Sequence, residues 1–88
     1  MAVAAFLRQH ARPGDTVAAV EVGTIAYFSG MRMYDLGGLV TNRPVLREGL
    51  FQWLVLDKNN LRLKPADAEL MDVFWSGKFR AYVFRMKD

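Results

Sequence analysis

Val3, Phe6, Leu7 and His10 recur at i, i+3, i+4 and i+7 and mark one face of an amphipathic N-terminal helix. Arg12-Pro13-Gly14-Asp15 ends that helix and turns the chain. Thr16 to Val22 is small, β-branched and apolar without clean alternation, the pattern of a strand covered on both faces, and Gly23 stops it. Thr24 to Ser29 predicts a short helix that packs Ile25 and Phe28 inward, with Gly30 as its C-cap. Met31 to Leu36 is a second strand. After the Gly37-Gly38 turn, Thr41 or Asn42 caps a helix in which Val45, Leu46, Gly49 and Leu50 share a face and Pro44 sits in the first turn. Phe51 to Asp57 is a third strand, apolar and ending in an acid.

Asp57 to Asn60 is a polar loop, and Leu61 to Leu63 is extended. Pro65 at a helix start, Asp67 and Glu69 in a first turn, and Gly77 past the end predict a helix with Ala66, Leu70, Val73 and Phe74 as its buried stripe. In Phe79 to Met86, Phe79, Ala81, Val83 and Met86 face one way and Arg80, Tyr82 and Arg85 roughly the other, which predicts a half-exposed edge strand at the C-terminus. Strands alternating with helices predict an α/β fold, a small layered Rossmann-like sandwich with a mainly parallel sheet of about four strands.

At 88 residues the chain supports one domain, residues 1–88, with 52% hydrophobic residues to fill a core. No apolar run approaches the roughly 20 residues needed to cross a bilayer. The apolar start lacks a preceding basic segment and soon meets Arg8 and Arg12, so it is not read as a signal peptide. Absence of cysteine excludes a disulfide framework and a thiolate metal site. The formal charge of +3 comes from basic residues scattered among acids, which argues against nucleic-acid binding and is compatible with a surface facing anionic lipid.

Glu21, Asp35 and Asp57 end predicted parallel strands and so converge on one rim, where acids can hold a cation, exchange protons, or simply form a solvated edge. Tyr27 can present its hydroxyl there or tie it to nearby backbone. Gly23 supplies one of the three glycines of a dinucleotide fingerprint, so no cofactor is expected. His10 lies far from the rim, and Ser29 lacks the strand-to-helix setting of a nucleophile elbow. Trp53 and Trp75, with Phe74, Phe79 and Tyr82, read as core or interface residues before they read as a stacking platform.

Glu21-Val22-Gly23, Tyr27-Phe28-Ser29-Gly30, Tyr34-Asp35-Leu36-Gly37-Gly38-Leu39 and Trp53 to Asp57, after the Pro13-Gly14-Asp15 turn, resemble the soluble C-terminal domain of bacterial GT-C-type membrane glycosyltransferases. These are the relatives of dolichyl- or polyprenyl-phosphate-dependent mannosyl- and arabinosyltransferases. The resemblance covers residues 2 to 57, and it departs in a shorter segment before the third strand and in Arg47-Glu48-Gly49-Leu50-Phe51-Gln52-Trp53, which replaces a Lys-Pro-Asp lead-in. It implies a fragment of a larger membrane protein, on the extracytoplasmic face of the cytoplasmic membrane. Its partners would be the parent's transmembrane part and an acceptor glycan, and catalysis would rest on acids of the parent outside this chain. Glu21, Gly23, Tyr27, Asp35 and Asp57 are then the candidate ligand-binding residues. Two other readings stand beside it: a free-standing small α/β nucleotide- or phosphate-binding protein using Gly23 and Asp35, and a module that dimerises through the C-terminal edge strand.

Overall fold

The structure, a computed structural model, describes residues 2–19, 30–36, 51–77 and 79–87. The helices expected at 24–29 and from Thr41 or Asn42 to Leu50 lie outside the described residues, as does the end of the first expected strand. Helix α1 spans Ala2–His10 and is followed by strands β1 (Thr16–Ala19), β2 (Arg32–Asp35) and β3 (Trp53–Asp57). A 3₁₀ helix (Lys58–Leu63) then leads to strands β4 (Ala68–Ser76) and β5 (Phe79–Met86).

All five strands form one mixed sheet in the order β2-β1-β3-β5-β4. β1 pairs parallel with β2 and β3, β3 pairs antiparallel with β5, and β5 pairs antiparallel with β4. The described residues are therefore mostly β, with α1 as their one α-helix. This overturns the expected Rossmann-like α/β sandwich with its mainly parallel sheet: β4 and β5 form a long hairpin, antiparallel by construction, and it docks with β5 beside β3, which makes that pairing antiparallel too.

The sheet has an apolar core on each face. Against α1, Val3 and Leu7 pack on Val17, Ala19, Trp53, Val55, Ala81 and Val83. Phe6 joins them half-buried, its ring edge-on to Trp53 and Phe74 at centroid distances of 6.1 and 5.6 Å. Of the expected helix stripe, His10 is exposed and lies against Phe6 at 4.2 Å. On the opposite face Ala18, Leu36, Phe51, Leu54, Leu56, Ala68, Phe84 and Met86 form a second cluster, with Leu61 and Leu63 of the 3₁₀ helix packed onto it. Leu61 to Leu63 is thus helical, not extended.

Burial on both faces explains why β1 and β3 carry apolar runs without alternation. Gln52, just before β3, ties β1 to β5: its N–H donates to the Thr16 carbonyl at 2.9 Å, its side-chain oxygen accepts the Thr16 N–H at 2.8 Å, and its carbonyl accepts the Met86 N–H at 2.9 Å.

The segment expected to be a helix from Pro65 to Gly77 is the edge strand β4, and the physical reason lies in its register. Ala68 faces Met86 and Leu70 faces Phe84, then a bulge at Met71 skips one position, and Asp72 faces Val83. Cross-strand partners share a sheet face. Leu70, Val73 and Trp75 therefore lie on one side while Phe74 reaches α1 on the other. The extra residue stretches the Leu70 to Val73 interval from two to three, which imitates helical spacing. Gly77, expected as a helix cap, turns the β4–β5 hairpin with φ of +59°.

β5 is an inner strand, with β3 on one side and β4 on the other, so the expected C-terminal edge strand is corrected. Met86 belongs to the face of Phe84 and not to that of Ala81 and Val83. Arg80 sits over the exposed Trp75 ring at 4.2 Å. The free edge of this hairpin is β4, and it is blunted twice: by the bulge at Met71, and by the Asp72 carboxylate, which accepts the Val73 N–H at 2.8 Å.

One turn constrains its sequence directly. The Asp15 N–H donates to the Arg12 carbonyl at 3.0 Å, Pro13 occupies the second position, and Gly14 has φ of +88°. That is a type II turn, whose third position favours glycine. No atom lies within 4 Å of a Cβ placed on Gly14, so Gly14→Ala is opposed by backbone conformation alone and is expected to lower stability by about 1–2 kcal/mol in a urea titration.

Candidate functional site

Of the residues expected at the carboxyl rim, Glu21, Gly23 and Tyr27 lie outside the described residues. Asp35 is the last residue of β2, opposite Ala19, the last of β1, and the Leu36 N–H donates to the Ala19 carbonyl at 2.9 Å. Asp57 is the last residue of β3, where Val55 is the residue opposite Ala19. Asp35 and Asp57 therefore share one rim but stand on either side of β1. Two strand spacings sideways and two residues lengthwise separate their backbones by about 12 Å. A carboxylate pair sharing a proton needs contact at about 3 Å.

The Asp57 carboxylate also has local work, since it accepts a hydrogen bond from the Asn60 side chain as the chain enters the 3₁₀ helix. Asp57 at this rim thus closes a turn. Among the described residues no group of three or more His, Asp or Glu side chains is placed to hold a metal ion.

At the other end of the parallel strands lies a cleft that the order of residues along the chain conceals. It has a volume of about 490 Å³ and is lined chiefly by Arg8, Arg12, Asp15, Gly30, Met31 and Arg32. Arg8 comes from the last turn of α1, Arg12 from the type II turn, and Arg32 from the first residue of β2, which pairs with Thr16. The three arginines are exposed, and among the described residues no hydrogen bond or ion pair engages their guanidinium groups.

Asp15, the acid of the cleft, is held by two donors. Its Oδ2 accepts the Arg12 N–H at 2.9 Å and the Trp53 Nε1–H at 3.0 Å. The turn is thereby fastened to the sheet through the indole of a buried residue. Gly30, with φ of +67°, completes the wall just before β2. Sequence reasoning took the basic residues as scattered. The available signal was the i, i+4 spacing of Arg8 and Arg12 beside a turn, while the approach of Arg32 follows only from β1–β2 pairing.

The family described as "Domain of unknown function (DUF8728)" matches residues 1–84. No curated protein and no solved structure matches the chain.

Proposed function

We infer that this chain, which belongs to the family that matches residues 1–84, is a non-catalytic accessory domain of a GT-C-type membrane glycosyltransferase, on the extracytoplasmic face of a bacterial cytoplasmic membrane, where it contributes to binding the acceptor glycan. The observation that carries the reading is the parallel pairing of β1 with β2, with Ala19 opposite Asp35. It puts Ala19, two residues before the Glu21-Val22-Gly23 motif in the sequence, beside Asp35, the first residue of the Asp35-Leu36-Gly37-Gly38 motif, so the chain runs toward both motifs from one rim of the sheet. Among the described residues no helix is long and apolar enough to cross a membrane, so in this reading the spanning part belongs to the parent outside them.

The test is titration of the 88-residue chain with oligosaccharide acceptors and with sugar nucleotides, followed by amide NMR. Saturable binding of an oligosaccharide is expected, weakened about tenfold in Glu21→Ala or Asp35→Ala, as the loss of one hydrogen bond to a charged group implies. Multiple turnover of a sugar nucleotide by the chain alone would overturn the accessory role. Absence of any oligosaccharide binding would remove the acceptor role.

A further inference from the structure

We propose that the cleft between the end of α1, the type II turn and the start of β2 is a binding site for a phosphate-bearing ligand, held by Arg8, Arg12 and Arg32. The inference is independent of the glycosyltransferase reading, since it concerns the opposite end of the parallel strands. Three guanidinium groups from three different elements line one concavity, and none is neutralised by a carboxylate among the described residues. Like charges gather in this way at the cost of mutual repulsion, which an anion between them relieves.

Asp15 does not cancel the set: three positive groups face one negative group, and the Asp15 Oδ2 is already occupied by the Trp53 and Arg12 N–H groups. The carboxyl end of α1 adds about half a negative charge, which opposes an anion but falls well short of three cations. A single carboxylate is satisfied by one arginine in a bidentate fork. A phosphate monoester, with up to two charges and three terminal oxygens, makes use of all three. At about 490 Å³ the cleft also has room for the group that the phosphate is attached to, and lies within the usual range of small-molecule sites. Gly14 and Gly30 add no side chain to its wall, and no atom lies within 4 Å of a Cβ placed on either.

The phosphate could belong to a soluble sugar phosphate or to a lipid headgroup, and both present the same chemistry to the arginines. Two arms distinguish them. In the first, inorganic phosphate and glucose 1-phosphate are titrated into the chain and followed by amide NMR. In the second, the chain is sedimented with vesicles of phosphatidylcholine alone or of phosphatidylcholine with one quarter phosphatidylglycerol.

Binding in either arm is expected to shift amides of residues 11–16 and 30–32, to weaken with added salt, and to fall about fivefold or more in Arg8→Ala and in Arg32→Ala. Arg8→Lys keeps the charge but loses the fork, and is expected to fall between wild type and Arg8→Ala. Arg62→Ala is the control, because Arg62 donates to the Asn59 carbonyl within the 3₁₀ helix. Circular dichroism checks that each variant folds. Binding in the first arm alone identifies a soluble ligand, and binding to the anionic vesicles alone identifies a headgroup. The proposal is overturned if neither arm shows binding, or if Arg62→Ala weakens it as much as Arg8→Ala and Arg32→Ala do.

Discussion

Leu54→Ala is expected to destabilise the domain by about 3–5 kcal/mol, the upper part of the range for a buried leucine reduced to alanine. Leu54 has no exposed surface and lies at the centre of β3, opposite Ala18 of β1 and Phe84 of β5. Its backbone is held by ladders on both sides, so the surrounding chain cannot close on the lost volume. A domain of 88 residues has a total stability of about 4–13 kcal/mol, which makes this one change a large fraction of it. Leu70→Ala is the comparison: Leu70 is 50% exposed on the edge strand, and its loss should cost less than about 1 kcal/mol. Leu54→Met keeps the volume and should cost under about 1.5 kcal/mol. Urea titrations followed by circular dichroism give all three values. A Leu54→Ala effect no larger than that of Leu70→Ala would show that β3 is not the strand around which the core is built.

The contrast between β3 and β4 shows how much of this fold is legible from residue order alone. Trp53 to Asp57 and Arg32 to Asp35 lie within the stretches where strands were expected, because runs of apolar residues bounded by glycine or acid have few other uses at that length. α1 was equally legible from Val3, Phe6 and Leu7.

β4 was not, because the bulge at Met71 replaces a period of two by an interval of three just where Pro65, Asp67 and Gly77 supply the punctuation of a helix. Local signals agreed with each other and were overridden by a hydrogen-bonded partner, since Phe79 to Met86 needs a neighbour on the side away from β3. The same blindness to pairing hid the arginine cleft. Arg32 is 20 residues beyond Arg12, and only the Thr16 to Arg32 register brings the start of β2 alongside the turn. The acid rim was legible as a direction, since Asp35 and Asp57 do end neighbours of β1, but their separation depends on strand order and offset, which no spacing encodes.

Trp53→Ala should cost about 3–5 kcal/mol, and the way this loss divides tells whether the sheet also positions the cleft. Trp53 is 3% exposed and does two things: its ring fills the space between α1 and β3 edge-on to Phe6, and its Nε1–H holds Asp15. Trp53→Phe retains most of the first and removes the second, so it should cost about 1.5–3 kcal/mol, the range for a hydrogen bond to a charged acceptor. Asp15→Ala removes the same bond together with the carboxylate's hold on the Arg12 N–H, and should cost a similar amount.

If the Trp53 to Asp15 contact is the tie, the double variant Trp53→Phe with Asp15→Ala should fall short of the summed single costs by about 1–2 kcal/mol, because the bond can be lost only once. Simple additivity would mean that each residue stabilises its own surroundings and the turn stands without the indole. The tie also predicts an effect beyond stability. Releasing Asp15 frees the Arg12 to Asp15 turn from the sheet, so Trp53→Phe should weaken phosphate binding although residue 53 lies outside the cleft lining. Retained affinity in a folded Trp53→Phe variant would separate the packing of the indole from the placement of Arg12.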